Sequence, residues 1–138
     1  MNETILVSSL RGLDDFLLYL VAAVALLAVF VWIYVKVTPY REIQLIRDGN
    51  VAAACSLGGA ILGFVIPLAS AITHSVAFVD MLLWGAIALV IQLVAFFGAR
   101  MLVPTVAADI PADRRAVGVF VGTIALAGGI LNAAAMSY

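Results

Sequence analysis

Four long apolar runs decide what this chain can fold into. They cover residues 16–37, 51–72, 81–103 and 116–136, and each matches the roughly 20 residues a helix needs to cross the hydrocarbon of a bilayer. Each run is continuous rather than alternating, so helices are expected and not strands. A helix also satisfies its own backbone polar groups where no water is present. Composition agrees: 66% of the 138 residues are hydrophobic and 11% are charged, whereas a soluble domain is about half apolar and about a quarter charged. A soluble protein this short could not bury so much apolar surface. The expected fold is an all-α membrane protein with four transmembrane helices.

The leader MNETILVSSLRGLDD is acidic rather than basic, and the run after it is too long for the apolar core of a secretory signal. It is therefore expected to stay as the first helix. Orientation follows from Lys and Arg, which favour the cytoplasmic side. Lys36, Arg41 and Arg47 surround the first connection, and Arg100, Arg114 and Arg115 the third. The second connection, around His74, has none, and Arg11 alone precedes the first run. The first and third connections are thus expected in the cytoplasm and both termini outside. Trp32, Tyr34 and Tyr40 near the inner boundary, and Tyr19 and Trp84 near the outer one, fit the interfacial belts that aromatic residues form.

An offset of 65 residues superimposes the two halves of the chain. Asp15 to Tyr19 falls on Asp80 to Trp84, Pro39 on Pro104, Asp48 on Asp113, Ala60 on Ala125 and Gly63 on Gly128. Apolar runs align by chance at Leu and Ala, much less readily at Asp, Pro and Gly without a gap. Residues 1–73 and 74–138 are read as two copies of a two-helix hairpin. Both copies begin on the same side, which makes them parallel repeats and not the inverted repeats of many secondary transporters.

The first and third runs are rich in Leu, Val, Phe and Ile, whereas the second and fourth carry small residues: Ser56, Gly59, Ala60 and Gly63 in one, Gly118, Gly122, Ala125 and Gly129 in the other. Small side chains four apart let helix backbones approach closely, which drives association where lipid removes the hydrophobic force. Ser56, Gly59, Gly63, Gly118, Gly122, Ala125 and Gly129 are expected to pack the second helix against the fourth. Pro67 is expected to kink the second helix and free backbone carbonyls there.

The runs TPYREIQLIRDGNVAAACSLGGAILGFVIPLASA, WGAIALVIQLVAFFGARMLVP and GVFVGTIALAGGILNAA closely resemble the YjfL-like bacterial inner-membrane proteins, which are built from a paired domain of unknown function, number 350. The resemblance spans almost the whole chain. It implies a multi-pass inner-membrane protein of two two-helix copies, in which the termini that the Lys and Arg distribution places outside would lie in the periplasm, and relatives of this kind are associated with envelope stress. It implies no activity.

Candidate sites are few. Asp14, Asp15 and Asp80 lie at the outer helix ends, and Lys36 and Arg100 at the inner ends, where long side chains snorkel to water. The deepest polar groups are neutral: Ser56, Gln92 and Asn132. They serve either as hydrogen-bonding glue between helices or as a polar path. Asp48, Asn50 and Asp113 precede helices and are read as caps. One cysteine, Cys55, and one histidine, His74, exclude a disulfide and a metal site built on several thiols or imidazoles. No glycine-rich phosphate loop and no nucleophile paired with a base is present, so no enzyme, cofactor or metal is expected. A net charge of −1 offers no basic excess for nucleic acid. Two readings result. One is a non-catalytic homo-oligomeric scaffold or accessory subunit that docks a cytoplasmic protein through Arg41, Glu42, Arg47 and Asp48. The other is a small channel or transporter with Ser56, Gln92 and Asn132 along its path.

Overall fold

The computed structural model describes residues 2–136, and among these there are helices and no strands. In chain order they are α1 (Asn2–Val37), α2 (Glu42–Arg47), α3 (Val51–His74), α4 (Phe78–Leu102), α5 (Val106–Asp109) and α6 (Arg115–Ala135). Four of them, α1, α3, α4 and α6, are long and apolar enough to cross a membrane. The short α2 and α5 lie in the two connections at one end of the bundle, and the tight α3–α4 turn marks the other.

The first helix begins at Asn2 rather than near residue 16. Residues 2–15 contain no proline and a single glycine, and Glu3 sits favourably in the positive first turn. Nothing therefore interrupts the helix that the apolar run propagates. At about 1.5 Å per residue, α1 is about 54 Å long, well beyond a hydrocarbon core of about 30 Å. None of its described side chains is fully buried before Phe30, although Ala23, Leu26 and Leu27 are half-buried against the core.

Helix α3 is the hub: half of its most apolar stretch is buried, against 6% of that of α1. It packs on α6 most closely, and also on α4 and α1. The α3–α6 contacts advance together along both chains, from Ala52 with Gly118, through Gly59 with Gly122, to Gly63 with Ala125 and Gly129. The two helices are therefore parallel, with both N-termini at the α2 end. At each glycine of this seam the atom nearest a missing Cβ is a carbonyl oxygen of the other helix, the arrangement that weak Cα–H···O contacts favour. Pro67 is buried within an unbroken α3. Its absent N–H releases the carbonyl of Gly63, and that carbonyl lies against Gly129.

The connections are shaped by two left-handed residues. Gly49 has φ +88° and Asp113 φ +56°. Around Gly49, Gly49 N–H donates to Ile46 O and Asn50 N–H to Leu45 O; around Asp113, Asp113 N–H donates to Ile110 O and Arg114 N–H to Asp109 O. Both are Schellman turns, and each hands the chain into one of the parallel helices.

Candidate functional site

The cross-links at the α2 end come from side chains. Asn50 caps α3 by accepting from Ala53 N–H at 2.7 Å, while its amide donates to Ile110 O at 2.8 Å. Asp113 accepts from Ala52 N–H at 2.9 Å. The residue expected to cap the fourth membrane helix thus caps the neighbouring α3 instead, because the parallel seam sets the two helix starts side by side. Asp48 is exposed and accepts from Gln44 of its own short helix.

Glu42 departs most from expectation. The sequence sets it on a docking surface, but it is 0% exposed. The first turn of α2 is directed at the bundle, and the apolar Ile43 is left on the outside. Arg41, Arg47 and Asp48 remain exposed. Tyr34 and Tyr40 also depart from the interfacial belt, at 1% and 7% exposure, while Trp32 stays on the surface with the Lys36 ammonium 5.9 Å from its ring.

Glu42, Tyr34, Tyr40 and Ser56 form one buried polar cluster, here called the chamber. The Glu42 charge acts on both phenols, and both phenols face Ser56. None is in hydrogen-bond geometry: both Glu42 carboxylate oxygens, both tyrosine hydroxyls and the Ser56 hydroxyl are buried without a partner. Burial pushes the Glu42 carboxyl up to about 8, an effect that Tyr40 opposes. Burial, and next the Glu42 charge, also pushes the Tyr40 phenol up. Among the described residues the ion pairs are Arg114 with Asp109 and Arg115 with Asp113, so no cation pairs with Glu42. No sequence period marks a residue in so short a connection; only its neighbours in space show the chamber.

The other predicted polar residues lie apart from it. Gln92 of α4 is buried and donates from Nε2 to Ala125 O at 3.0 Å, beside Gly63. Its Oε1 has no partner, nor has the buried Nδ2 of Asn132. Aromatic rings pack beside both sets of residues. Phe30 stacks on Phe64 with ring centroids 4.5 Å apart, and Tyr34 meets the edge of Phe96 at 5.6 Å. Gly59, Gly63, Gly118, Gly122, Ala125 and Gly129 all stand in the α3–α6 seam, and Ser56 is fully buried on α3 at the chamber.

Four long apolar helices around a glycine seam define a multi-pass helical membrane protein. More narrowly, the chain belongs to the family described as Domain of Unknown Function (DUF350), whose model matches residues 6–136. It is 46% identical over 129 residues to the UPF0719 inner membrane protein YjfL of Escherichia coli strain K12, covering 94% of this chain and 98% of that protein. It is 33% identical over 102 residues to the UPF0719 transmembrane protein YshE of Bacillus subtilis strain 168, covering 72% and 76%. No solved structure matches the chain.

Proposed function

We propose that the chain is a non-catalytic, self-associating component of the bacterial inner membrane that presents its cytoplasmic connections to a protein partner. One observation carries the self-association. On the side of the seam that α1 and α4 leave bare, Cys55, Gly58, Gly59, Val119, Gly122, Thr123 and Leu126 line a groove of about 300 Å³. A Cβ at Gly58 would meet nothing within 4 Å. A helix of a second copy fits such a concave, glycine-bearing face, where close approach gains dispersion contact that lipid tails give less well.

The rest of the reading draws on the sequence. The two parallel hairpins, 1–73 and 74–138, supply one seam helix each. The Lys and Arg distribution favours a cytoplasmic α2 end, and the name of the Escherichia coli relative supports the inner membrane as the compartment. Arg41, Arg47 and Asp48, all exposed there, form the docking surface.

In lipid nanodiscs, native mass spectrometry should find the wild type as an oligomer. Gly58→Trp, which fills the groove without touching the fold of one copy, should release monomers of unchanged helicity. A monomeric wild type in native lipid would overturn the reading.

The channel reading draws support from the orphan polar atoms of Ser56, Gln92 and Asn132. The packed rings of Phe30 with Phe64 and of Tyr34 with Phe96 weigh against it, because they fill the bundle interior beside these polar atoms.

A further inference from the structure

A lone carboxylate cannot be buried as a bare charge, since its desolvation must be compensated by a proton or by a positive partner. Glu42 has both oxygens buried and unpartnered, and the hydroxyls of Tyr34 and Tyr40, on which its charge acts, and of Ser56, which both phenols face, are equally unpartnered. The charged groups nearby do not neutralise it. Lys36 lies over Trp32. Arg41 and Arg47 line, with Lys36 and Glu42 itself, an open cavity of about 330 Å³, but both arginines are exposed and neither forms an ion pair with Glu42. Arg100, from α4, acts on Tyr40. No ion pair to Glu42 forms from α1, α3, α4 or the connections.

The donors in this cluster are all oxygens: one carboxylate, two phenols and one serine hydroxyl. Oxygen sets of this kind suit hard cations and not the softer transition metals. Charge then selects among hard cations. A single carboxylate balances a charge of +1, while a divalent ion would leave a net buried charge. No group of three or more His, Cys, Asp or Glu able to share such an ion exists among the described residues.

We propose that Glu42, Ser56, Tyr34 and Tyr40 form a binding site for a monovalent alkali-metal ion, at the end of the bundle that holds α2. The ion ties α2 and its flanking connection to α1 and α3, so its occupancy sets how firmly the exposed residues of α2 are held. The site lies apart from the groove and does not depend on the self-association reading.

The test uses purified full-length protein in detergent at pH 9, with sodium, potassium or lithium chloride replacing choline chloride at constant ionic strength. One of these ions should raise the apparent melting temperature by roughly 3–8 °C, as expected for a ligand that binds only the folded state. Glu42→Gln should abolish the rise. Ser56→Ala, which removes one hydroxyl and leaves the charge, should shift the midpoint to about tenfold higher ion concentration. If Glu42→Gln does not fold, radioactive sodium or rubidium displaceable from the wild type by the unlabelled ion supports the site in its place. Identical melting in choline and in all three alkali salts, as proton binding alone would give, overturns the proposal. So does an equal rise in Glu42→Gln.

Discussion

The side-chain amide of Gln92 and the backbone carbonyl of Ala125 are joined by a 3.0 Å hydrogen bond where Gly63 brings α3 against α6. Inside a helix that carbonyl already accepts the N–H four residues on, so the Gln92 bond is its second. Hydrogen bonds between membrane helices average about 0.6 kcal/mol, and Gln92 also carries an unpartnered Oε1. Gln92→Met, which keeps length and loses the amide, should therefore change unfolding free energy by less than about 1 kcal/mol. Gln92→Glu puts a carboxyl against a carbonyl in a dry seam and should cost more than about 2 kcal/mol. Unfolding titrations in mixed micelles measure both. Equal effects of the two substitutions would show that the amide is not the group facing Ala125.

Gly59 and Gly98 should respond oppositely to the same methyl group. At Gly98 a Cβ meets nothing within 4 Å; at Gly59 it falls on the backbone of Gly122. Gly98→Ala should be neutral or stabilise by up to about 1 kcal/mol, since alanine is the better helix former. Gly59→Ala has backbone and not a flexible side chain to displace, and overpacking of that kind costs about 1–3 kcal/mol. Thermal melts of the two variants in one detergent decide it, and a Gly59→Ala protein as stable as wild type would falsify the seam.

The membrane helices are legible in the sequence because lipid makes a strict demand: length and continuous apolarity are enough. Small-residue spacing is legible as a face, since Gly59 and Gly63 stand four apart. Which carbonyl lies on which glycine is not, because that depends on the crossing of two helices. The helical leader from Asn2 is missed because its charges suggest a flank, although they do not prevent a helix. Glu42 is missed for a different reason. A six-residue helix has too few turns to show a period, and a glutamate in a charged connection looks like every solvated one. Asp113 reads as a cap, correctly as to chemistry, but the helix it serves is fixed only by the parallel seam.

Asp113 combines two demands that separate cleanly by mutation. It holds φ +56° and accepts from Ala52 N–H. Asn tolerates the left-handed region and keeps an acceptor oxygen, so Asp113→Asn should cost less than about 0.5 kcal/mol. Gly keeps the backbone and loses the acceptor, for a loss of about 1 kcal/mol. Asp113→Val loses the acceptor and puts a β-branched residue where it is strained, for about 2–3 kcal/mol in all. Melting temperatures in the order Asn, Gly, Val are the expected result, and a Val variant matching Gly would mean that the turn relaxes.

Stability should fall as pH rises, and Glu42 sets the window. Its carboxyl titrates at about 8 in the fold against 4.5 as the ordinary value. Between these two pH values the folded state holds a proton that the unfolded state has released, so unfolding free energy decreases with rising pH. The contribution is fully present below about 4.5 and lost above about 8, and on the order of 2–4 kcal/mol is at stake. The Tyr40 phenol faces the carboxyl, with Tyr34 next and Ser56 against the two phenols; Arg100 lies beyond Tyr40, and Lys36, Arg41 and Arg47 line the open cavity beside Glu42. None supplies a formal positive charge in contact with it. Glu42→Gln cannot release a proton and should flatten the profile, lying near wild type at pH 5 and above it at pH 8.5. The measurement is unfolding in choline chloride, where no alkali-metal ion can replace the lost proton. A wild-type profile parallel to that of Glu42→Gln across this window would mean that the carboxyl finds water or a cationic side chain once it ionises.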